Sequence, residues 1–171
     1  LSRGLGDVYK RQPPYGANGG GNVNNKSKGG VADTALKKIL VKNKKGGHAA
    51  QELYTQFYYR VQLLAEFFEY GDNDEFHIFF FSSAKFLPSP SFGKFVDGLI
   101  EQFHFNNGFL LNAGEFNGTS AAWGIIFSRW SLNGDKNQKE FPFEVLQSTP
   151  DGDINKITNW TAKRVSKGET I

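Results

Sequence analysis

Apolar residues fall in two rhythms along this chain. Between residues 51 and 70, Leu53, Phe57, Leu64 and Phe68 recur at helical spacing with Val61 between them, which predicts a long amphipathic helix. Gly71-Asp72-Asn73 is expected to stop it. Residues 33–44 predict a shorter helix, capped by Asp33 or Thr34, with Leu36, Ile39 and Leu40 on one face. A third helix is predicted over residues 92–103. Ser91 is its expected cap, and Phe92, Phe95, Val96, Leu99, Ile100 and Phe103 form its apolar face.

The second rhythm is that of strands. Residues 76–81 form a nearly continuous apolar run, as in a strand buried on both faces of a helix-covered parallel sheet. Residues 82–90 follow it as a loop. Short strands are predicted over residues 109–111 and 123–130, the second centred on Gly124-Ile125-Ile126-Phe127. Residues 114–121 form a loop between them, and Asn133-Gly134-Asp135 turns the chain afterwards. A last pair of strands is expected at 141–146 and 157–163, around Pro150-Asp151-Gly152-Asp153. Helix, strand, helix, strand, strand is the order of one half of an α/β sheet with an antiparallel strand pair.

Composition narrows the function classes. The chain has 171 residues, enough for one domain with a core, and 17 Phe to fill it. There is no Cys, which excludes disulfides, thiolate metal sites and cysteine nucleophiles. His48, His77 and His104 have no spacing suited to a metal site or a nucleophile pair. The longest apolar run is too short to span a bilayer and no signal peptide is visible, so no membrane contact and a cytoplasmic location are expected. The net charge of +3 permits nucleic-acid contact without demanding it. Lys37, Lys38, Lys42, Lys44 and Lys45 gather the basic charge, either as a solvated helix end or as a phosphate-facing patch.

Residues 13–30 read as a glycine-rich loop. The triple glycine 19–21 lacks the Gly-Lys-Ser/Thr ending of a phosphate loop. The loop opens with Pro13-Pro14-Tyr15-Gly16. Before it, Asp7-Val8-Tyr9-Lys10-Arg11-Gln12 resembles the translation of a transposase adapter end used in sequencing libraries. Residues 1–12 are therefore set aside as foreign to the protein, and the chain is expected to be truncated at both ends.

Pro13-Pro14-Tyr15 resembles the Asn/Asp-Pro-Pro-Tyr/Phe/Trp motif of the DNA adenine-N6 methyltransferases. The resemblance runs to about Trp130. It takes in Leu53-Tyr54-Thr55-Gln56-Phe57, then the strand end Phe79-Phe80-Phe81-Ser82-Ser83-Ala84-Lys85-Phe86-Leu87. The helix over 92–103, the strand at 109–111, Phe116 and Gly124-Ile125-Ile126-Phe127 follow in order. It implies a partial Rossmann-like methyltransferase sheet, the C-terminal half of a catalytic domain over residues 13–131. Residues 132–171 would be a β-rich extension leading toward target recognition.

The resemblance also implies an activity: transfer of a methyl group from S-adenosylmethionine to the N6 amine of a flipped adenine in DNA, in a restriction-modification setting with a possible endonuclease partner or fusion. Adenine's amine is a weak nucleophile because its lone pair is delocalised into the ring. An Asn/Asp oxygen and the first proline's carbonyl bind its two hydrogens and favour the pyramidal form as the methyl arrives. Pro13 would supply that carbonyl, Pro14 would stiffen the loop, and Tyr15 would stack on the extruded base. Phe116 matches the position facing that base from the other side; read from the residues alone, it is equally a hydrophobic plug under its loop.

The sequence departs from the pattern at Gln12, where the Asn/Asp should stand. The donor-binding glycine motif belongs upstream of Pro13 and is not in the chain, so no cofactor-binding residue is assigned and the 171-residue chain is expected to be inactive. Tyr54, Phe57, Trp123 and Trp130 read as packing residues. Lys85 reads equally as a phosphate contact at a strand end or as a solvated lysine. Two other readings stay open: a methyltransferase acting on RNA or on protein glutamine, and a non-catalytic nucleic-acid-binding module with aromatic stacking positions.

Overall fold

A computed structural model describes residues 33–43, 47–71, 75–115, 123–135 and 137–164. Among the described residues the fold is mixed α/β: three α-helices and one five-stranded sheet in the order β1-β3-β2-β4-β5.

Helix α1, Ala35–Lys42, starts where a side chain can cap it: Thr34 accepts a hydrogen bond from the Lys37 amide at 3.2 Å. Helix α2, Leu53–Phe67, stops before the predicted glycine. Glu69 takes a left-handed conformation at φ 54°, and the Tyr70 amide reaches back to the Ala65 carbonyl at 3.1 Å. This is a helix-ending hydrogen-bond pattern that usually employs glycine. Helix α3, Gly93–Gln102, buries Phe95, Val96, Leu99 and Ile100, with Phe92 and Phe103 buried at its two ends, as the periodicity predicts. Its cap is Phe92 and not Ser91, which lies in a preceding 3-10 turn.

The buried face of α2 differs from the predicted stripe. Leu64 and Phe68 are exposed, whereas Tyr54, Tyr58 and Ala65 enter the main core and Tyr59 packs with Leu40 and Ala50 beneath α1. Tyr58 and Tyr59 can take core positions because their hydroxyls find partners in Ser128 and Asn43, which an apolar count does not foresee; Tyr54 is buried on its ring contact with Phe86. Because α2 is wedged between α1 on one side and the sheet and α3 on the other, it also buries Thr55, Gln56 and Gln62. The Gln62 amide donates to the Gly98 carbonyl of α3 at 2.9 Å.

Strand β1, His77–Ser83, alternates instead of burying both faces: Ile78, Phe80 and Ser82 point inward, and Phe79 is 52% exposed. It pairs antiparallel with β3, Gly124–Leu132, in a register that sets Phe80 opposite Ser128. Strand β2, Phe103–Asn112, also pairs antiparallel with β3. Consequently β1 and β2 point the same way, joined by α3, with β3 reversed between them. The expectation of a parallel strand covered on both faces fails here because helices cover only one face among the described residues.

Strand β2 is longer than predicted. It begins directly after α3 and passes a bulge between Phe105 and Asn107. At the bulge the Gln138 side chain acts as a strand neighbour. Its oxygen accepts from the Phe105 amide and its nitrogen donates to the Phe105 carbonyl, both at 2.9 Å. Gly108 lies under the Phe143 ring, where a Cβ would come within 2.7 Å of that ring and 2.4 Å of the Phe127 carbonyl oxygen. Only glycine allows this approach.

Strands β4, Glu140–Ser148, and β5, Ile154–Lys163, form a hairpin around Gly152, whose φ is 89°. Strand β4 joins β2 in parallel at Phe109–Glu144 and Leu110–Val145. The hairpin therefore extends the same sheet, and Phe141, Phe143 and Ala162 lie in the main core. Arg164, just beyond β5, pairs with Asp97 of α3.

Aromatic rings fill the centre. Trp130, Tyr58, Phe86, Phe103, Phe105, Phe141 and Phe143 are all buried, and Trp130 packs as expected. Full burial of each such side chain contributes on the order of 1.5–3 kcal/mol. The one polar knot among them is Ser128, which meets the Tyr58 hydroxyl at 2.8 Å and accepts from the Trp130 indole N–H at 3.0 Å. Among the described residues, no helix is long and apolar enough to cross a membrane.

Candidate functional site at the carboxyl ends of the parallel strands

Because β1, β2 and β4 run in one direction, their carboxyl ends lie along one end of the sheet. Ligands of open α/β sheets bind at that end, where loops converge on backbone groups the strands no longer pair. The sequence-predicted residues Pro13, Pro14, Tyr15 and Phe116 lie outside the described residues. Lys44 and Lys45 also lie outside. Phe116 follows Glu115 directly in the chain, and Glu115 closes the 3-10 turn after β2.

At the end of β2 is an open cavity of about 400 Å³. Leu110, Val145, Leu146 and Ile157 give it apolar walls, and Asn112, Glu115 and Gln147 place polar groups beside them. Trp123 stands at its side and is 38% exposed. Trp123 is therefore not the buried packing residue the sequence suggested: it immediately precedes β3, beside the open cavity. The Asn112 side-chain oxygen is occupied, accepting from the Gly114 amide at 2.8 Å. This arrangement offers a planar group an apolar seat with hydrogen-bonding groups at its edge, and it contains no nucleophile–base pair. Among the described residues there is no group of three or more His, Asp or Glu that could hold a metal.

At the end of β1 the chemistry is different. Lys85 binds Glu52 at 2.6 Å and lies over the Phe92 ring at 5.8 Å. It is half-exposed and ion-paired. Glu52 is mostly buried, so the pair neutralises a carboxylate that burial alone would penalise. Nearby in the chain, the Tyr54 hydroxyl is buried and has no hydrogen-bond partner among the described residues, and the same holds for the Ser82 hydroxyl. Burial, reinforced by the Glu52 carboxylate and Tyr58, pushes the Tyr54 hydroxyl well above the usual tyrosine range, so it stays a neutral phenol.

Sequence reasoning missed Glu52 and the cavity wall supplied by β4 and β5. Glu52 sits 33 residues before Lys85, and no spacing rule links them. The resemblance covered residues 13–130 only, whereas Val145, Leu146 and Ile157 come from the following hairpin. In comparisons with known proteins, the chain matches no family model and no curated sequence.

Proposed function

We propose that this chain carries the C-terminal half of the catalytic domain of an S-adenosylmethionine-dependent DNA adenine-N6 methyltransferase, with a partial Rossmann-like sheet. One observation supports the reading most. Two same-direction strands, β1 and β2, are joined by α3 and separated by the reversed β3. That arrangement is compatible with part of an open α/β sheet carrying an antiparallel strand, and in the sequence it follows Pro13-Pro14-Tyr15 in the order the resemblance implies.

On this reading the Pro13 carbonyl accepts a hydrogen of the adenine amine, Tyr15 stacks on the extruded base and Phe116 faces it from the opposite side. The carboxyl ends of β1 and β2 form the floor over which the base is held. The described residues do not fit the methyl donor itself. Their cavity at the end of β2 has no glycine-rich turn entering a helix, so no step is derived through S-adenosylmethionine and its seat is assigned upstream of Pro13. DNA is the substrate, the cytoplasm is the compartment, and a restriction endonuclease is the functional partner or fusion.

A second reading, a non-catalytic nucleic-acid-binding module, draws on half-exposed Trp123 beside the apolar cavity, since base stacking needs an accessible ring. Reading the source DNA across the junction before Pro13 separates the two. An Asn or Asp codon directly before Pro13, with a glycine-rich donor motif further upstream, is expected. The encoded protein should then transfer labelled methyl groups to adenine-containing duplex DNA, and Tyr15→Ala should slow transfer about 10- to 100-fold through loss of stacking. A native Gln12, or an intact gene product that binds DNA without methylating it, rejects the methyltransferase reading in favour of the binding module.

A further inference from the structure

The cavity at the end of β2 is built by two local departures from regular sheet structure. The first is a bulge in the β4–β5 hairpin. Val145 pairs with Thr158 and Leu146 with Lys156, so Ile157 is the extra residue. A bulge re-aims the side chain it carries, and bulges are common beside functional sites. Ile157 lines the cavity and is exposed. The second departure lies where β2 and β3 meet. Their ladder ends at Asn112 and Gly124, yet the Ala113 amide donates to the Trp123 carbonyl at 2.9 Å and carries the pairing one step further. The backbone of Trp123 is thus held in place while its ring stays accessible. Between the two, a Cβ at Gly124 would come within 2.8 Å of the Leu110 side chain, so the glycine lets Leu110 lie across the strand as a cavity wall.

The lining selects among ligands. Its aliphatic walls give a sugar or a free phosphate nothing to bond. An acyl chain needs an enclosed apolar tunnel, whereas this cavity is open and carries Asn112, Glu115 and Gln147 beside its walls. A planar heterocycle uses both parts: its faces meet the Trp123 ring and Ile157, and its edge meets the polar groups. Those groups are mixed in the way a base edge requires. The Glu115 carboxylate accepts, as it does from the Ser148 hydroxyl, and Gln147 both donates and accepts. The Asn112 oxygen is taken by the Gly114 amide, which leaves its NH2 to donate. Side-chain amides and carboxylates of this kind read the donors and acceptors of nucleobases. The volume of about 400 Å³ is near the small end for ligand pockets, which suits one base and not a run of them.

We propose that this cavity seats one unstacked nucleobase of a nucleic-acid strand, with Trp123 as the stacking ring and Gln147 and Glu115 at the base edge. The inference rests on a nucleic-acid substrate, which both readings above share, and does not need methyl transfer to occur. On the methyltransferase reading the target adenine is held by Tyr15 and Phe116. The base at Trp123 is then a neighbour of the target, and the cavity contributes to the choice of sequence.

Fluorescence anisotropy with the 171-residue chain tests it. The probes are a short labelled single-stranded DNA and an abasic strand of the same length and charge. Tighter binding of the base-bearing strand is expected. Trp123→Ala should weaken that binding about 5- to 150-fold, the worth of one stacked base, and bring it toward the level of the abasic strand. It should leave the slope of log affinity against log salt unchanged, because an indole meets no phosphate. Trp123→Phe should keep most of the affinity, which separates stacking from a loss of fold. Equal affinity for the two strands, no binding of either, unchanged binding in Trp123→Ala, or a reduced salt slope in that variant overturns the proposal. Its failure is distinguishable from that of the methyltransferase reading. Base-dependent binding through Trp123 in a gene product that transfers no methyl group removes that reading and keeps this inference. Methyl transfer by a gene product that binds both strands equally removes this inference alone.

Discussion

The Tyr58 hydroxyl lies 2.8 Å from the Ser128 hydroxyl, and this contact fastens α2 to the centre of the sheet. Both residues are fully buried, and Ser128 also accepts from the Trp130 indole N–H. Ser128→Ala removes a partner from two buried groups at once, the Tyr58 hydroxyl and the Trp130 indole N–H, so a loss on the order of 1–3 kcal/mol is expected. Tyr58→Phe leaves Ser128 with Trp130 and the Phe80 carbonyl, and should cost about 1 kcal/mol. Urea unfolding of both variants measures the difference. Equal losses would mean that the serine is held by the tyrosine alone.

Gly108 makes a separate stability prediction. A methyl group there meets the Phe127 carbonyl and the Phe143 ring at distances that atoms do not tolerate. Because the obstacle includes backbone, the ring cannot resolve the clash by turning. Gly108→Ala should destabilise by roughly 1–3 kcal/mol, as overpacked cores do. Gly71→Ala has open space and no unusual backbone, and serves as the neutral comparison in thermal unfolding.

The two helices show what the sequence could and could not reveal. Helix α3 was legible because its six inward positions are purely apolar and nothing else competes for them. In α2 the tyrosines outweigh leucine and phenylalanine for the core, since Ser128, contributed by a distant strand, satisfies Tyr58. The run Phe79-Phe80-Phe81 could not report its own geometry: three identical rings have no period, so one-faced and two-faced burial look alike. At the candidate site, the Lys85–Glu52 pair and the β4–β5 wall of the cavity arise from contacts between segments far apart in sequence. Pro13, Pro14 and Tyr15 lie outside the described residues, so the fold neither strengthens nor weakens the expectation placed on that motif.

Tyr54 links a buried orphan to pH. Its hydroxyl is pushed up by burial, then by Glu52 and Tyr58, so the folded state holds its proton where the unfolded chain releases it. For a raised value, the stabilisation is complete below the unfolded tyrosine value near 10 and is lost as pH climbs above it. Stability should therefore fall above about pH 10 with a contribution near 1.4 kcal/mol per pH unit from this group. Tyr54→Phe should remove that contribution. At neutral pH it should leave stability unchanged or slightly higher, because the hydroxyl has no hydrogen-bond partner to lose. Denaturant midpoints of both proteins at pH 7 and above pH 10 check this; parallel curves would show that other groups govern alkaline unfolding.

Lys85 supplies the last test, because its charge is already committed. A lysine that meets phosphate releases a counterion, and its removal lowers the slope of log affinity against log salt by about one. Lys85 instead spends its charge on Glu52 at 2.6 Å. On the proposed reading, Lys85→Ala should leave that slope for duplex DNA unchanged. It should cost stability, because Glu52 is left mostly buried with its carboxylate unpaired. The double variant Glu52→Gln with Lys85→Ala should recover most of the loss. A slope reduced by about one in Lys85→Ala would mean that the lysine leaves Glu52 for a phosphate on binding. That result would place the carboxyl end of β1 on the proposed DNA-binding surface.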